Sequence, residues 1–122
     1  MYKILVLDDN TDIIALVKII LTREHMDVEV SNQPAMIENT IEKFFPDLLL
    51  MDISMPPYDG RDICRKLKTE NPKAFSIVLF SANKITHESL KESMADDFIA
   101  KPFEMNELIT KIKICIENKM IA

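Results

Sequence analysis

The chain has 122 residues, 48% of them hydrophobic and 29% charged, with 20 acidic side chains against 15 basic ones and a net charge of −5. That length fits one domain with its own core, since domains most often run to about 100–150 residues. The acidic balance argues against a nucleic-acid-binding face, which is usually basic, and no apolar run approaches the roughly 20 residues that span a bilayer. The opening Met1-Tyr2-Lys3-Ile4 lacks the charged head, apolar stretch and small-residue cleavage site of a signal peptide. Cys64 and Cys115 form neither a metal spacing nor a disulfide framework. These features predict a soluble, cytoplasmic single domain over residues 1–122, without an output domain and without direct contact to nucleic acid or membrane.

In chain order, Tyr2–Leu7 is a nearly continuous apolar run, the pattern of a parallel strand covered on both faces. Thr11–His25 has helical spacing, with Ile13, Leu16, Val17, Ile20 and Leu21 forming one stripe and Ile14 and Ile19 left toward its exposed side. Asp27–Ser31 alternates as an edge strand does. Gln33–Phe45 fits a shorter helix, Asp47–Met51 a buried strand, Gly60–Glu70 a helix and Ser76–Phe80 another buried strand. Lys84–Met94 fits a helix, Asp97–Ala100 a weaker strand, and Glu104–Asn118 a helix whose apolar stripe is Met105, Leu108, Ile109, Ile112 and Ile116. All six prolines fall between these segments, where a missing N–H does least harm. Five strands alternating with five helices imply βαβ crossovers, a parallel sheet and a three-layer, doubly wound α/β domain.

Ligands of open α/β sheets bind beyond the carboxyl ends of the strands. There the predicted strands present Asp8-Asp9, Asp52, Ser81 and Lys101-Pro102. Three neighbouring carboxylates need a cation to offset their repulsion. An all-oxygen, open donor set suits Mg²⁺, with Mn²⁺ as a substitute. A carboxylate beside such an ion, with an ammonium and a hydroxyl ready for anionic oxygens, is suited to accepting a phosphoryl group. Each residue alone has a duller reading: the Asp pair as a helix cap, Asp52 as a turn residue, Ser81 as an N-cap, Lys101 as a solvated charge.

The ordered set DD, then D-x-S-M-P-P-Y-D-G, then S-A, then K-P-F resembles the receiver domain of two-component response regulators, from Lys3 to about Lys119. The resemblance implies a flavodoxin-like sheet of order 2-1-3-4-5 with five helices. It implies that Asp52 is the phosphoacceptor, that Asp9, Asp52 and the backbone carbonyl of Ser54 ligate Mg²⁺, and that Asp8 acts partly through water. Lys101 would pair with the phosphoryl oxygens and Ser81 would move to hydrogen-bond them. Ala82 would leave them room, and Phe98 would take the place of the family's rotating aromatic. The Lys101–Pro102 bond is implied to be cis. The implied partners are a sensor histidine kinase or histidine phosphotransfer protein, which would dock on the first helix. A phosphorylation-dependent homodimer would form through the fourth helix, fifth strand and fifth helix, with Asp96 and Asp97 meeting Lys111.

Two departures stand out. Met94 replaces a usual glycine, so that helix end is expected to close without easy positive φ. Gly60 is the one free backbone hinge near the acceptor. The implied activity is a signalling phosphoacceptor that catalyses only its own phosphorylation and dephosphorylation. One rival is an aspartyl-nucleophile phosphatase or phosphotransferase. It would need an acid about two residues past Asp52, where Ser54 cannot serve. The other is a vestigial receiver acting only as a protein-interaction module.

Overall fold

The computed structural model describes residues 1–121, so Ala122 of the expected domain lies outside them. The elements run β1 (Lys3–Leu7), α1 (Thr11–Arg23), β2 (Asp27–Ser31), α2 (Ile37–Phe44), β3 (Leu48–Asp52), β4 (Ser54–Met55) and β5 (Tyr58–Asp59). They continue with α3 (Gly60–Glu70), β6 (Ser76–Ser81), α4 (His87–Ser93), β7 (Asp97–Ala100) and α5 (Met105–Ile121). The main sheet is parallel and ordered β2-β1-β3-β6-β7, the expected 2-1-3-4-5 arrangement once the small β4–β5 hairpin is set aside. That hairpin pairs Ser54 with Asp59 and Met55 with Tyr58, and two-residue strands leave no alternation for a sequence pattern to show.

The pleat divides the core between two faces. Ile4, Val6, Leu50 and Phe80 pack with α1 and α5, whereas Leu5, Leu7, Met51 and Leu79 pack against α2 and α3 through Ile37, Cys64 and Leu67. β3 and β6 are buried along their whole length. At about 1.5–3 kcal/mol for each fully buried large aliphatic side chain, these strands contribute a large share of the burial that stabilises the fold. Both cysteines are free, and burial pushes the thiols up, to about 12 for Cys64 and about 11 for Cys115.

Several expectations need correction. On α1 the buried residues are Ile14, Val17, Ile20 and Leu21. Ile14 is therefore core, while Leu16 and Ile19 are 49% and 53% exposed. So many apolar residues on one helix make its periodicity degenerate, and contact with the sheet selects the stripe. Met105 opens α5 and is exposed rather than core. The fourth helix starts at His87 instead of Lys84, because the Thr86 hydroxyl accepts the Ser89 N–H and caps it there. The second helix opens with a 3-10 turn over Pro34–Met36 before α2 begins. Within the chain, the Asp96 carboxylate accepts the Ile77 N–H at 2.7 Å and pairs with the buried Lys68 ammonium at 2.6 Å. Lys111 lies 3.8 Å from Asp97 of its own chain and donates to the Phe98 carbonyl.

The glycine economy of the chain has a structural consequence. Its single glycine, Gly60, has negative φ, and a Cβ there would collide with the Asp52 carbonyl oxygen. Close approach, not a hinge, requires it. The left-handed residues that close α1, α2 and α4 are instead His25, Phe45 and Met94, at φ 62°, 55° and 67°. Met94 thus closes α4 in the very conformation its side chain disfavours, contrary to expectation. A non-glycine residue costs about 1–2 kcal/mol there, partly offset by the greater unfolded-state freedom of glycine. Met94→Gly is therefore expected to stabilise the fold by about 0.5–1 kcal/mol, read as a raised urea midpoint with unchanged slope.

Candidate functional site

Four of the five strands of the central sheet deliver a functional residue at the carboxyl edge because the parallel register aligns the ends. β1 stops at Leu7, immediately before Asp8-Asp9, β3 ends on Asp52 and β6 on Ser81. The Lys101 N–H donates to the Ser81 carbonyl at 2.9 Å and so fixes where Lys101 leaves β7. The Lys101–Pro102 bond is cis, as the resemblance implies, and Pro56–Pro57 is cis as well. Asn10 caps α1 with its side-chain oxygen, accepting from the Asp12 and Ile13 N–H groups. The Asp pair is thereby released from the capping role.

Asp8, Asp9 and Asp52 each bring a carboxylate oxygen to within 4.8 Å of the other two. Asp8 is fully buried, and its two oxygens take the Asn10 N–H at 2.9 Å and the Lys101 ammonium at 2.8 Å. The same ammonium lies 3.4 Å from Asp52 Oδ1. Burial first, and the Asp8 charge second, push the Asp52 carboxyl up to about 6, with Lys101 pulling it back only in part. Asp9 is exposed at the rim, yet its carboxyl is also raised, by lost hydration and by Asp8. Negative charge is thus concentrated beyond what one lysine offsets. Hard oxygen donors in such excess fit a small divalent cation that keeps part of its water shell.

The remaining expected residues divide between two depressions. Ser54 and Ser81 line a cleft of about 220 Å³ that also holds Tyr58, Arg61 and Lys84. The Ser81 hydroxyl is buried and accepts the Asn83 N–H at 3.1 Å, which places it in a turn of its own and not at the cap of α4. Ala82 and Phe98 line a more apolar groove with Leu90, Ala100 and Lys101. Phe98 is half-buried there and packs against the α2–α3 face of the core.

Two features escape the sequence reading. Asp59 caps α3 and grips the Arg61 guanidinium at 2.6 Å, while Arg61 also donates to Ser89 of α4 at 3.0 Å. Asp59 is consequently held below the usual carboxylate range by Arg61. The ring of Phe80 lies under the Lys101 ammonium, 4.4 Å from nitrogen to centroid. The strand register sets Phe80 beside Asp52, a pairing that the sequence pattern does not encode.

Fold and site together define a doubly wound α/β domain whose acidic carboxyl edge can hold a cation beside an ionisable carboxylate. The family model of the response regulator receiver domain matches residues 4–113, and the chain belongs to that family. Among curated relatives, the DNA-binding response regulator MtrA of Mycolicibacterium paratuberculosis is 32% identical over 113 residues, which cover 91% of this chain and 49% of MtrA. The chain spans about half the length of the curated relatives it matches. Among solved structures, the response regulator TrrA from Thermotoga maritima in complex with Mg²⁺-BeF aligns with a TM-score of 0.85 at 26% identity, over 94% of this chain and 99% of TrrA. A CheY-like receiver domain protein from Methanospirillum hungatei aligns with a TM-score of 0.88 at 27% identity, over 98% and 97% of the two chains.

Proposed function

We propose that residues 1–122 form one phosphoacceptor unit of a two-component system, taking a phosphoryl group onto Asp52 in a Mg²⁺-dependent reaction. The donor is a sensor histidine kinase or a histidine phosphotransfer protein. The observation that carries this reading is the placement of Asp52 at the sheet edge, among Asp8, Asp9 and the Lys101 ammonium. Asp8, Asp9, Asp52 and the Ser54 backbone carbonyl would hold Mg²⁺, or Mn²⁺ in its stead, which when bound supplies positive charge to the phosphoryl oxygens.

The chain's own groups do the rest. A carboxylate oxygen of Asp52 forms a bond to phosphorus while the donor's imidazole nitrogen or acyl oxygen leaves with its electron pair. Lys101 leans from Asp8 toward the new phosphoryl oxygens, and Ser81 gives up the Asn83 N–H to donate to them. Ala82 leaves space, and Phe98 fills the volume vacated beside the groove. The surface of α4, β7 and α5 shifts as a redistribution between two packings. The same site hydrolyses its own acyl phosphate and has no external substrate. The reading places the protein in the cytoplasm, where such kinases present their phosphohistidine.

Intact-mass measurement after treatment with acetyl phosphate and Mg²⁺ tests this. One added phosphoryl group on the wild type and none on Asp52→Asn supports the assignment; equal labelling of both contradicts it.

Docking of the kinase falls to Leu16 and Ile19, the exposed pair one turn apart on α1. Leu16→Arg is expected to slow transfer from the cognate kinase at least about tenfold, the effect of burying or losing one well-packed anchor. Labelling by acetyl phosphate should be unchanged, and equal losses with both donors would remove the docking role. Phosphorylated protein is also expected to dimerise through α4, β7 and α5. Sedimentation velocity showing monomers with and without a beryllofluoride adduct would remove that part.

A further inference from the structure

We infer that Phe80 is a positioning residue for the phosphoryl-transfer site, its ring face acting as the third partner of the Lys101 ammonium alongside Asp8 and Asp52. Three observations converge on it. The Lys101 ammonium lies 4.4 Å from the Phe80 ring centroid, 2.8 Å from Asp8 and 3.4 Å from Asp52. Phe80 is completely buried, and a tilted contact with Phe103 at 6.5 Å between centroids backs the ring. The Lys101 side chain is only 15% exposed, so water cannot replace a lost partner on every side.

The electron-rich face of an aromatic ring attracts a cation most strongly where the cation is shielded from water. That attraction differs in kind from the two ion pairs. A hydrogen bond to a carboxylate oxygen is directional and is lost when the ammonium turns. The ring face is broad, so the ammonium can move from Asp8 toward Asp52 and keep the ring beneath it throughout. An aliphatic residue of similar size would fill the same core volume but offer no such support. Phe80 is placed for this by the sheet: it is the β6 partner of Asp52 on one side and of Ile99 on the other, one residue before Ser81.

The inference rests on the reading of Lys101 as the group that receives the phosphoryl oxygens, and the test separates the two. Phe80 is replaced, by amber suppression, with phenylalanines bearing one, two and three ring fluorines. These preserve shape while progressively weakening the ring's hold on a cation. Phosphorylation by acetyl phosphate with Mg²⁺ is expected to slow stepwise, to about one tenth with three fluorines, the scale of a shielded cation–π contact. The same replacements at Phe75, buried on the other face of the sheet, should leave the rate unchanged. A rate independent of fluorination, or equally affected at both positions, overturns the inference while leaving labelling at Asp52 intact.

A second readout needs neither metal nor phosphate. In wild-type protein the Lys101 ε-methylene protons should resonate upfield through the Phe80 ring current, and Phe80→Leu should return them to ordinary lysine positions. Unshifted protons in the wild type overturn the inference whether or not the chain is phosphorylated. Failure of unmodified protein to label at Asp52, with the ring-current shift present, sinks the functional reading and leaves the Phe80–Lys101 contact standing.

Discussion

Lys101→Ala is expected to lower folding stability by about 3 kcal/mol, because it strips a buried carboxylate of its countercharge. Asp8 is fully buried, and with Lys101 gone its carboxylate keeps, among the described residues, the Asn10 N–H as its one hydrogen-bond donor. Removing one partner of a buried pair is costly for that reason, even where the intact pair adds little. A Lys101 variant should also accept phosphoryl groups from acetyl phosphate about 100-fold more slowly, the usual loss when one preorganised donor to a developing anion is removed. Urea unfolding and a labelling time course check the two effects separately. Addition of Mg²⁺ should recover part of the stability but not the rate, since the ion can offset charge without replacing the ammonium. Unchanged stability would mean that Asp8 does not depend on Lys101, contrary to their 2.8 Å contact.

Asp52→Asn is expected to act in the opposite direction, stabilising the metal-free protein. Burial and Asp8 raise the Asp52 carboxyl from 3.8 to about 6. The folded state therefore binds this proton more tightly than the unfolded chain does. For a carboxyl raised in this way, stability falls as pH rises from 3.8 to about 6 and stays lowered above that. About 1.4 kcal/mol per pH unit sets an upper bound near 3 kcal/mol, and access of water at the cleft brings the expected gain to about 1–2 kcal/mol. In EDTA, the thermal midpoint of Asp52→Asn should exceed that of wild type at pH 7.5, and the gap should close as pH falls toward 4. Mg²⁺ should narrow the gap from the other side by stabilising wild type more than the variant. A gap that widens in acid would mean that Asp52 is held ionised, not strained, in the fold.

Much of this architecture is legible in the sequence because its strongest signals are redundant. Short, proline-bounded apolar runs such as Leu48–Met51 and Ser76–Phe80 read as strands covered on both faces, and parallel order then brings Asp8, Asp52, Ser81 and Lys101 to one edge. What stays hidden depends on choices that periodicity does not encode. The facing of α1 is one: Ile13, Ile14, Leu16, Val17, Ile19, Ile20 and Leu21 allow more than one stripe, and packing against the sheet selects Ile14 over Leu16. The closure of α4 at Met94 is another, since a disfavoured φ is tolerated where the surrounding fold determines it. The partners of Arg61, Asp96 and Lys101 are set by contacts between distant segments, with Ser89, Lys68 and Phe80 respectively. Charge counts and motif order carry no trace of those pairings.

The chemistry itself can be trapped directly. Borohydride reduces an acyl phosphate to an alcohol, so an aspartyl phosphate becomes homoserine at the modified position. After phosphorylation with acetyl phosphate and Mg²⁺, then reduction and peptide mass mapping, homoserine should appear at position 52 alone and vanish when EDTA replaces the metal. Homoserine at position 8 or 9, or none anywhere in wild-type protein, would contradict the assignment of Asp52 as the residue that carries the phosphoryl group.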